Sequence, residues 1–169
     1  MKIRITELKE DVNKLHLKAN PEELDLQNEE ADFNSPIVYN LTCTKSGDKF
    51  LCQGKLSTKV NLECARCLVV FSYDLKTSLD FILDVKDNQV ELSSEGGDSD
   101  IKVACGEDLD INHLVREAIL LALPLKPLCS LDCKGLCPVC GTDLNTSSCD
   151  CHKERSDPRW DKLKDFLKN

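Results

Sequence analysis

The chain has 169 residues, 31% of them charged and 41% hydrophobic, a balance typical of soluble globular domains and one that excludes wholesale disorder. Its net charge of −8 and pI of about 4.9 exclude nucleic-acid binding by bulk electrostatics. The longest dense apolar stretch, Leu114 to Leu125, contains Arg116 and Glu117 and is too short to cross a membrane.

The segment Met1-Lys2-Ile3-Arg4-Ile5-Thr6-Glu7 has no apolar core of the secretory kind, which predicts a cytoplasmic protein. Charge is unevenly spread: residues 1–121 carry 14 Lys/Arg against 23 Asp/Glu, and residues 122–169 carry 8 against 7. Any contact with nucleic acid therefore has to be local.

Lys2–Glu7 and Asn13–Ala19 alternate apolar and polar residues and read as two short strands. Pro21–Leu26 reads as one helical turn with Asn20 as cap, and 27–34 as an acidic, solvated loop. From Ile37 the two-residue period strengthens. Ile37, Tyr39, Leu41 and Cys43 share one face, and Lys45–Lys49 supplies a turn. In the next strand Phe50, Cys52, Leu56, Val60, Leu62 and Cys64 oppose Gln53, Lys55, Ser57, Lys59, Asn61 and Glu63. In the third, Phe71, Tyr73, Leu75, Leu79, Phe81, Leu83 and Val85 oppose Ser72, Asp74, Lys76, Ser78, Asp80 and Asp84. Strands near 37–44, 50–63 and 71–85, each half apolar and half polar, predict an antiparallel meander covered on one side and wet on the other.

The mixture of acids, serines and glycines over 87–100 reads as a mobile loop, followed by a short strand over 101–104. Ile111, Leu114, Val115, Ala118, Ile119 and Ala122 follow helical spacing. Asp110 is placed to cap this helix and Pro124 to stop it, and Leu120, Leu121 and Leu123 widen its apolar arc so that its last turns should be buried on most sides. The helix is the natural cover for the sheet. Asp157-Pro158-Arg159-Trp160 opens a second, short helix with Trp160, Leu163, Phe166 and Leu167 on one side. The predicted fold is α+β: an antiparallel meander, open or curled towards a barrel, under one amphipathic helix (1–123), then a zinc-knuckle segment (124–156) and a terminal helix (157–169).

Eleven cysteines are many for a chain without an export signal, and six lie between Cys129 and Cys151. In a reducing compartment such clustering points to metal before disulfides. The core, Leu136-Cys137-Pro138-Val139-Cys140-Gly141, is a zinc-knuckle sequence: two residues between thiolates let one tight turn aim both sulfurs at one ion. Zn²⁺ bound by four thiolates is a closed, structural site. Cys129, Cys133, Cys137, Cys140, Cys149 and Cys151 are the candidate ligands. One thiolate from each flanking pair would complete the simplest single site, with two cysteines and His152 to spare; two ions are the alternative. Cys64-Ala65-Arg66-Cys67 forms a further pair, which metal binding, packing or redox chemistry could each explain. A redox pair wants a helix after it, and strand-like sequence follows here. His16 and His113 read as surface or satisfied core residues, and no phosphate loop, zinc-protease motif or nucleophile elbow is visible.

The segments Leu62–Cys67, Leu120–Cys129, Asp132–Asn145, Cys149-Asp150-Cys151 and Asp157-Pro158-Arg159-Trp160 together resemble the YceD family, the large-ribosomal-RNA-subunit accumulation proteins. The resemblance implies a bacterial or organellar protein needed for accumulation or processing of 23S ribosomal RNA, without enzymatic activity, partnered by that RNA or a pre-ribosomal protein. Arg66 in the hairpin, with Lys126, Lys134, Lys153, Arg155 and Arg159 in the tail, are the candidate contacts. The rival readings are a zinc-stabilised protein-interaction module and a redox enzyme using Cys64 and Cys67.

Overall fold

The computed structural model describes residues 1–27, 31–86, 89–94, 97–104 and 108–151. The predicted meander is its centre. Six strands pair in simple sequence order, each antiparallel to the next: β2 (Val12–Ala19), β3 (Ile37–Ser46), β4 (Lys49–Glu63), β5 (Val70–Lys86), β6 (Gln89–Ser94) and β7 (Gly97–Ala104). β2 and β7 are the two edges, so among the described residues the sheet is open and no barrel closes.

The alternation read from sequence decides which face is buried. Ile37, Tyr39, Leu41, Leu56, Val60, Leu75, Phe81 and Leu83 are almost fully enclosed, while the intervening residues of β3, β4 and β5 face out. The turn between β3 and β4 takes two residues, with Gly47 at φ +64°, as hairpins with glycine at the first turn position prefer. That turn sets Cys43 directly opposite Cys52, with Cα atoms 4.1 Å apart, and the two form a disulfide within the core.

A glycine matters once in the sheet. At Gly54 a Cβ would lie 2.5 Å from Cε2 of Tyr39 and 2.6 Å from the Asn40 carbonyl oxygen. The Tyr39 ring fills that space instead and donates its hydroxyl proton to the Leu79 carbonyl at 2.6 Å. The Gly54 N–H donates to the Asp80 carboxylate at 3.1 Å. Burial, with the Asp80 charge nearby, pushes the Tyr39 phenol above its ordinary range.

The helix α1 (Asn112–Ala122) packs on β5 and on the 3-10 turn Pro21–Leu24, burying Leu114, Val115 and Ile119. The N-cap position expected of Asp110 is held instead by Ile111, which has no side-chain cap bond, and the Asp110 carboxylate accepts the Asn112 N–H at 2.8 Å from one residue earlier. Four other expectations need correction. The described residues of the acidic stretch 87–100 are strand: β6 extends the sheet by pairing with the free edge of β5, and Val90 and Leu92 complete the core opposite Val85 and Leu83. The first strand is only Lys2–Arg4 (β1); it turns into a 3-10 helix and pairs with β8 (Asp108–Asp110), outside the main sheet. The stretch 27–34 is not simply solvated, since Ala31 and Phe33 are buried in the core. The last turn of α1 is open on one side, leaving Leu121 79% exposed. The expected helix at 157–169 lies outside the described residues.

Candidate metal centre

The long hairpin of β4 and β5 projects the Cys64–Cys67 loop to one end of the sheet, and the chain leaving α1 returns there. The loop is closed by two bonds of its own, Leu68 N–H to the Cys64 carbonyl and Cys64 N–H to the Val69 carbonyl, both 2.9 Å. The returning chain is bonded to it directly: the Ala65 N–H donates to the Pro127 carbonyl at 2.9 Å, and the Leu136 N–H to the Arg66 carbonyl at 3.1 Å. Gly135 makes this approach possible. It sits at φ +76°, and a Cβ there would lie 3.0 Å from the Arg66 carbonyl oxygen.

The eight cysteines of the two regions fall into two groups of four. Cys64, Cys67, Cys129 and Cys133 form the first and Cys137, Cys140, Cys149 and Cys151 the second, with all sulfurs of a group within 4.8 Å of one another. This partition differs from the simplest single site. Cys129 and Cys133 turn away from Cys137 and Cys140 to meet the hairpin pair, and Cys149 and Cys151 both remain with the knuckle core. In the first group, Cys64 and Cys133 sulfurs are 3.8 Å apart and those of Cys67 and Cys129 3.6 Å. A tetrahedron with Zn–S bonds of about 2.3 Å has an edge of about 3.8 Å, so the donor set and its spacing fit a four-thiolate metal ion.

The two CxxC loops share one local design. In the second, the Gly141 N–H donates to the Cys137 carbonyl at 2.9 Å, the bond that Leu68 makes to Cys64 in the first. Gly141 has φ +74° and Leu68 φ +61°, so the residue after the second cysteine is left-handed in both. This curl turns backbone N–H groups onto sulfur: Val139 donates to Cys137 Sγ at 3.4 Å.

The electrostatics favour anionic sulfur in part of each group and resist it in the rest. Backbone N–H donation, led by that of Cys129, holds the Cys64 thiol down to about 6. Hydrogen bonding to the Thr142 hydroxyl, whose Oγ1 lies 3.1 Å from Sγ, brings Cys140 to about 6. Their neighbours move the other way: Cys129 is pushed up to about 12 by its contact with Cys67, and Cys151 to about 12 by Cys140. Four thiols in contact share their ionisation, and a divalent cation is the species that would let all four ionise together.

Cys64, Cys67, Cys133 and Cys137 are buried, whereas Cys129 and Cys140 are exposed. Phe71, Leu128 and Leu136 pack around the buried sulfurs of the first group. Of the expected contacts, Arg66 is exposed at the hairpin tip, but its guanidinium is engaged within the molecule, donating to the Cys133 carbonyl at 2.7 Å. Lys126 and Lys134 are exposed; His152, Lys153, Arg155 and Arg159 lie outside the described residues. Asn145 was not foreseen as part of the site. Its amide donates to Cys133 Sγ at 3.4 Å while its carbonyl accepts the Lys134 N–H at 2.8 Å, and such outer partners orient thiolate ligands. No spacing rule marks a residue of this kind in a sequence.

Residues 52–167, spanning both cysteine groups, match the family described as large ribosomal RNA subunit accumulation protein YceD. The chain belongs to the YceD family. Among its relatives, an uncharacterized protein of Mycobacterium tuberculosis (strain ATCC 25618 / H37Rv) is 29% identical over 136 residues, 80% of this chain and 64% of that protein. The maize large ribosomal RNA subunit accumulation protein YCED homolog 1, chloroplastic, is 26% identical over 143 residues, 69% of this chain and 49% of the maize protein. The uncharacterized protein YlbN of Bacillus subtilis (strain 168) is 30% identical over 116 residues, 67% of this chain and 63% of its own length. The chain thus spans less than two thirds of the length of each of these relatives. No solved structure matches it. Among the described residues, no helix is long and apolar enough to cross a membrane.

Proposed function

We propose that this YceD-family chain is a non-catalytic ribosome biogenesis factor that supports accumulation and processing of large-subunit (23S) ribosomal RNA in the cytoplasm, and that two structural zinc ions hold its C-terminal segment. The observation that carries the zinc reading is the division of eight cysteines into two complete four-sulfur groups. Family membership carries the ribosomal one.

Cys129 and Cys133 would hold the first ion with Cys64 and Cys67, stapling the chain after α1 to the β4–β5 hairpin. Cys137, Cys140, Cys149 and Cys151 would hold the second and organise the segment beyond it. A closed shell of four thiolates leaves no open position for substrate, so the metal's contribution is order. The redox alternative is less well supported: each thiol of the Cys64–Cys67 pair faces a cysteine of the returning chain, and strand β5 follows the loop where a redox pair wants a helix.

The test is deletion of the gene in its own host. The deletion is expected to lower mature 23S relative to 16S ribosomal RNA, with precursors accumulating, and the wild-type gene to restore the ratio. An unchanged ratio in the deletion contradicts the reading.

A further inference from the structure

We propose that the solvent-facing side of strands β2 to β5 is a docking surface for the phosphate backbone of RNA, built on Lys14, Lys18, Lys55 and Lys76. The proposal rests on the ribosomal-RNA reading above and names the surface through which it acts.

The ladder registers set the outward-facing residues of four strands side by side in three rows. Lys14, Thr42, Gln53 and Asp80 form one row, His16, Asn40, Lys55 and Ser78 the next, and Lys18, Val38, Ser57 and Lys76 the third. With neighbouring strands about 4.8 Å apart and two-residue steps of about 6.7 Å, the twelve positions cover an area roughly 14 Å square. Lys14, Lys18, Lys55 and Lys76 are all exposed. None of the four has a carboxylate partner among the described residues, whereas Lys45, Lys49 and Lys59 are paired with Glu10, Asp84 and Asp74. The one acid in the rows, Asp80, is engaged by the Gly54 N–H.

The area therefore carries four positive charges against one negative, inside a segment, residues 1–121, that holds 14 Lys/Arg against 23 Asp/Glu. Such segregation runs against the composition of its surroundings. Asn40, Thr42, Gln53, Lys55, Ser78 and Asp80 also line a shallow depression of about 450 Å³ in the middle of the rows. Lysines around a floor of amides and hydroxyls are what phosphate and ribose groups require: charge for affinity, with neutral donors and acceptors for position. The cysteine-rich end suits RNA less well, because a zinc ion with four thiolates is a dianion, the Arg66 guanidinium is already bonded to Cys133, and the cations otherwise exposed on its described residues are Lys126 and Lys134.

The experiment compares the full-length protein, the variant K14Q/K18Q/K55Q/K76Q and the control K126Q/K134Q for binding to a 23S ribosomal RNA transcript and to polyglutamate as a protein-like polyanion. With about 0.7 counterions released per phosphate contact on single strands, four lysines give a slope near −3 in log affinity against log salt, or about a 50-fold loss between 50 and 200 mM. The quadruple variant should lose most of that slope at an unchanged melting temperature, and K126Q/K134Q should keep it. A retained slope in the quadruple variant overturns the proposal, as does equal binding of polyglutamate or failure of the wild-type protein to bind RNA. The two readings separate in the deletion strain: if wild type and quadruple variant both restore 23S ribosomal RNA, the surface is wrong and the ribosomal reading stands. If wild type restores nothing, the ribosomal reading itself fails.

Discussion

Gly135→Ala tests how the cysteine-rich segment is seated on the hairpin. At φ +76° an L-residue costs about 1–2 kcal/mol. The new Cβ would lie 3.0 Å from the Arg66 carbonyl oxygen, so the contact must open by a few tenths of an ångström. That weakens the Leu136 N–H···Arg66 bond of 3.1 Å, worth about 1 kcal/mol. The sum is about 2–3 kcal/mol, lost by the junction and not by the sheet, whose core lies elsewhere. Hydrogen exchange should show protection at Leu136 and Ala65 falling by roughly 30- to 150-fold, since about 1.4 kcal/mol is a factor of ten, while amides of β3 to β5 exchange as before. Unchanged protection at Leu136 would refute the close approach; loss of protection across the sheet would refute the independence of the two parts.

Leu68→Gly should stabilise the protein. The side chain is 56% exposed at φ +61°, and relief of left-handed strain exceeds the added chain entropy by about 0.5–1 kcal/mol, a rise of a few degrees in Tm by calorimetry. Gly54→Ala should destabilise by about 2–4 kcal/mol, because the methyl must displace the Tyr39 ring and the Asn40 backbone; urea melts with an unchanged m-value would report it. Arg66→Ala removes the 2.7 Å bond to the Cys133 carbonyl at a cost of about 1 kcal/mol. Exchange should rise over 129–136 and stay constant in β2 and β3.

The part of the fold legible in the sequence is the part where one face is dry and the other wet. β3, β4 and β5 keep the two-residue period over most of their length, with local breaks such as Gly54 and Thr77 on one face and Leu51 and Ile82 on the other, and α1 carries an apolar stripe with an acid before it and a proline after it. β7 was legible only in its second half, as the short strand over 101–104, and β6 was not legible because its apolar content is confined to Val90 and Leu92 amid serines and acids. β6 is a strand because the free edge of β5 offers hydrogen bonds and a place to bury those two side chains, and β7 pairs in turn with β6. The Cys43–Cys52 contact follows from parity together with the two-residue turn at Gly47, but only once the turn length is known.

The cysteine groups show the same limit at longer range. Spacing within Cys137–Cys140 reveals a local turn that aims two sulfurs at one point. It carries no information about which distant pair arrives opposite, and more than sixty residues separate Cys67 from its partner Cys129. That pairing is decided by the length of the β4–β5 hairpin and by where α1 ends. The lysine surface is hidden for a similar reason. Lys14, Lys55 and Lys76 become neighbours only through the registers of three ladders, and the first of these depends on the chain between Ala19 and Ile37.

Native mass spectrometry of the purified chain counts the ions held by the two four-sulfur groups. The wild type should carry two zinc ions. Cys64→Ser/Cys67→Ser should carry one and lose protection at the junction with the hairpin. Cys137→Ser/Cys140→Ser should also carry one and lose order over 137–151 while the Cys129–Cys133 segment stays seated. A wild type with a single ion that both double variants abolish would rule out one ion per group, since the eight thiolates would then serve one site.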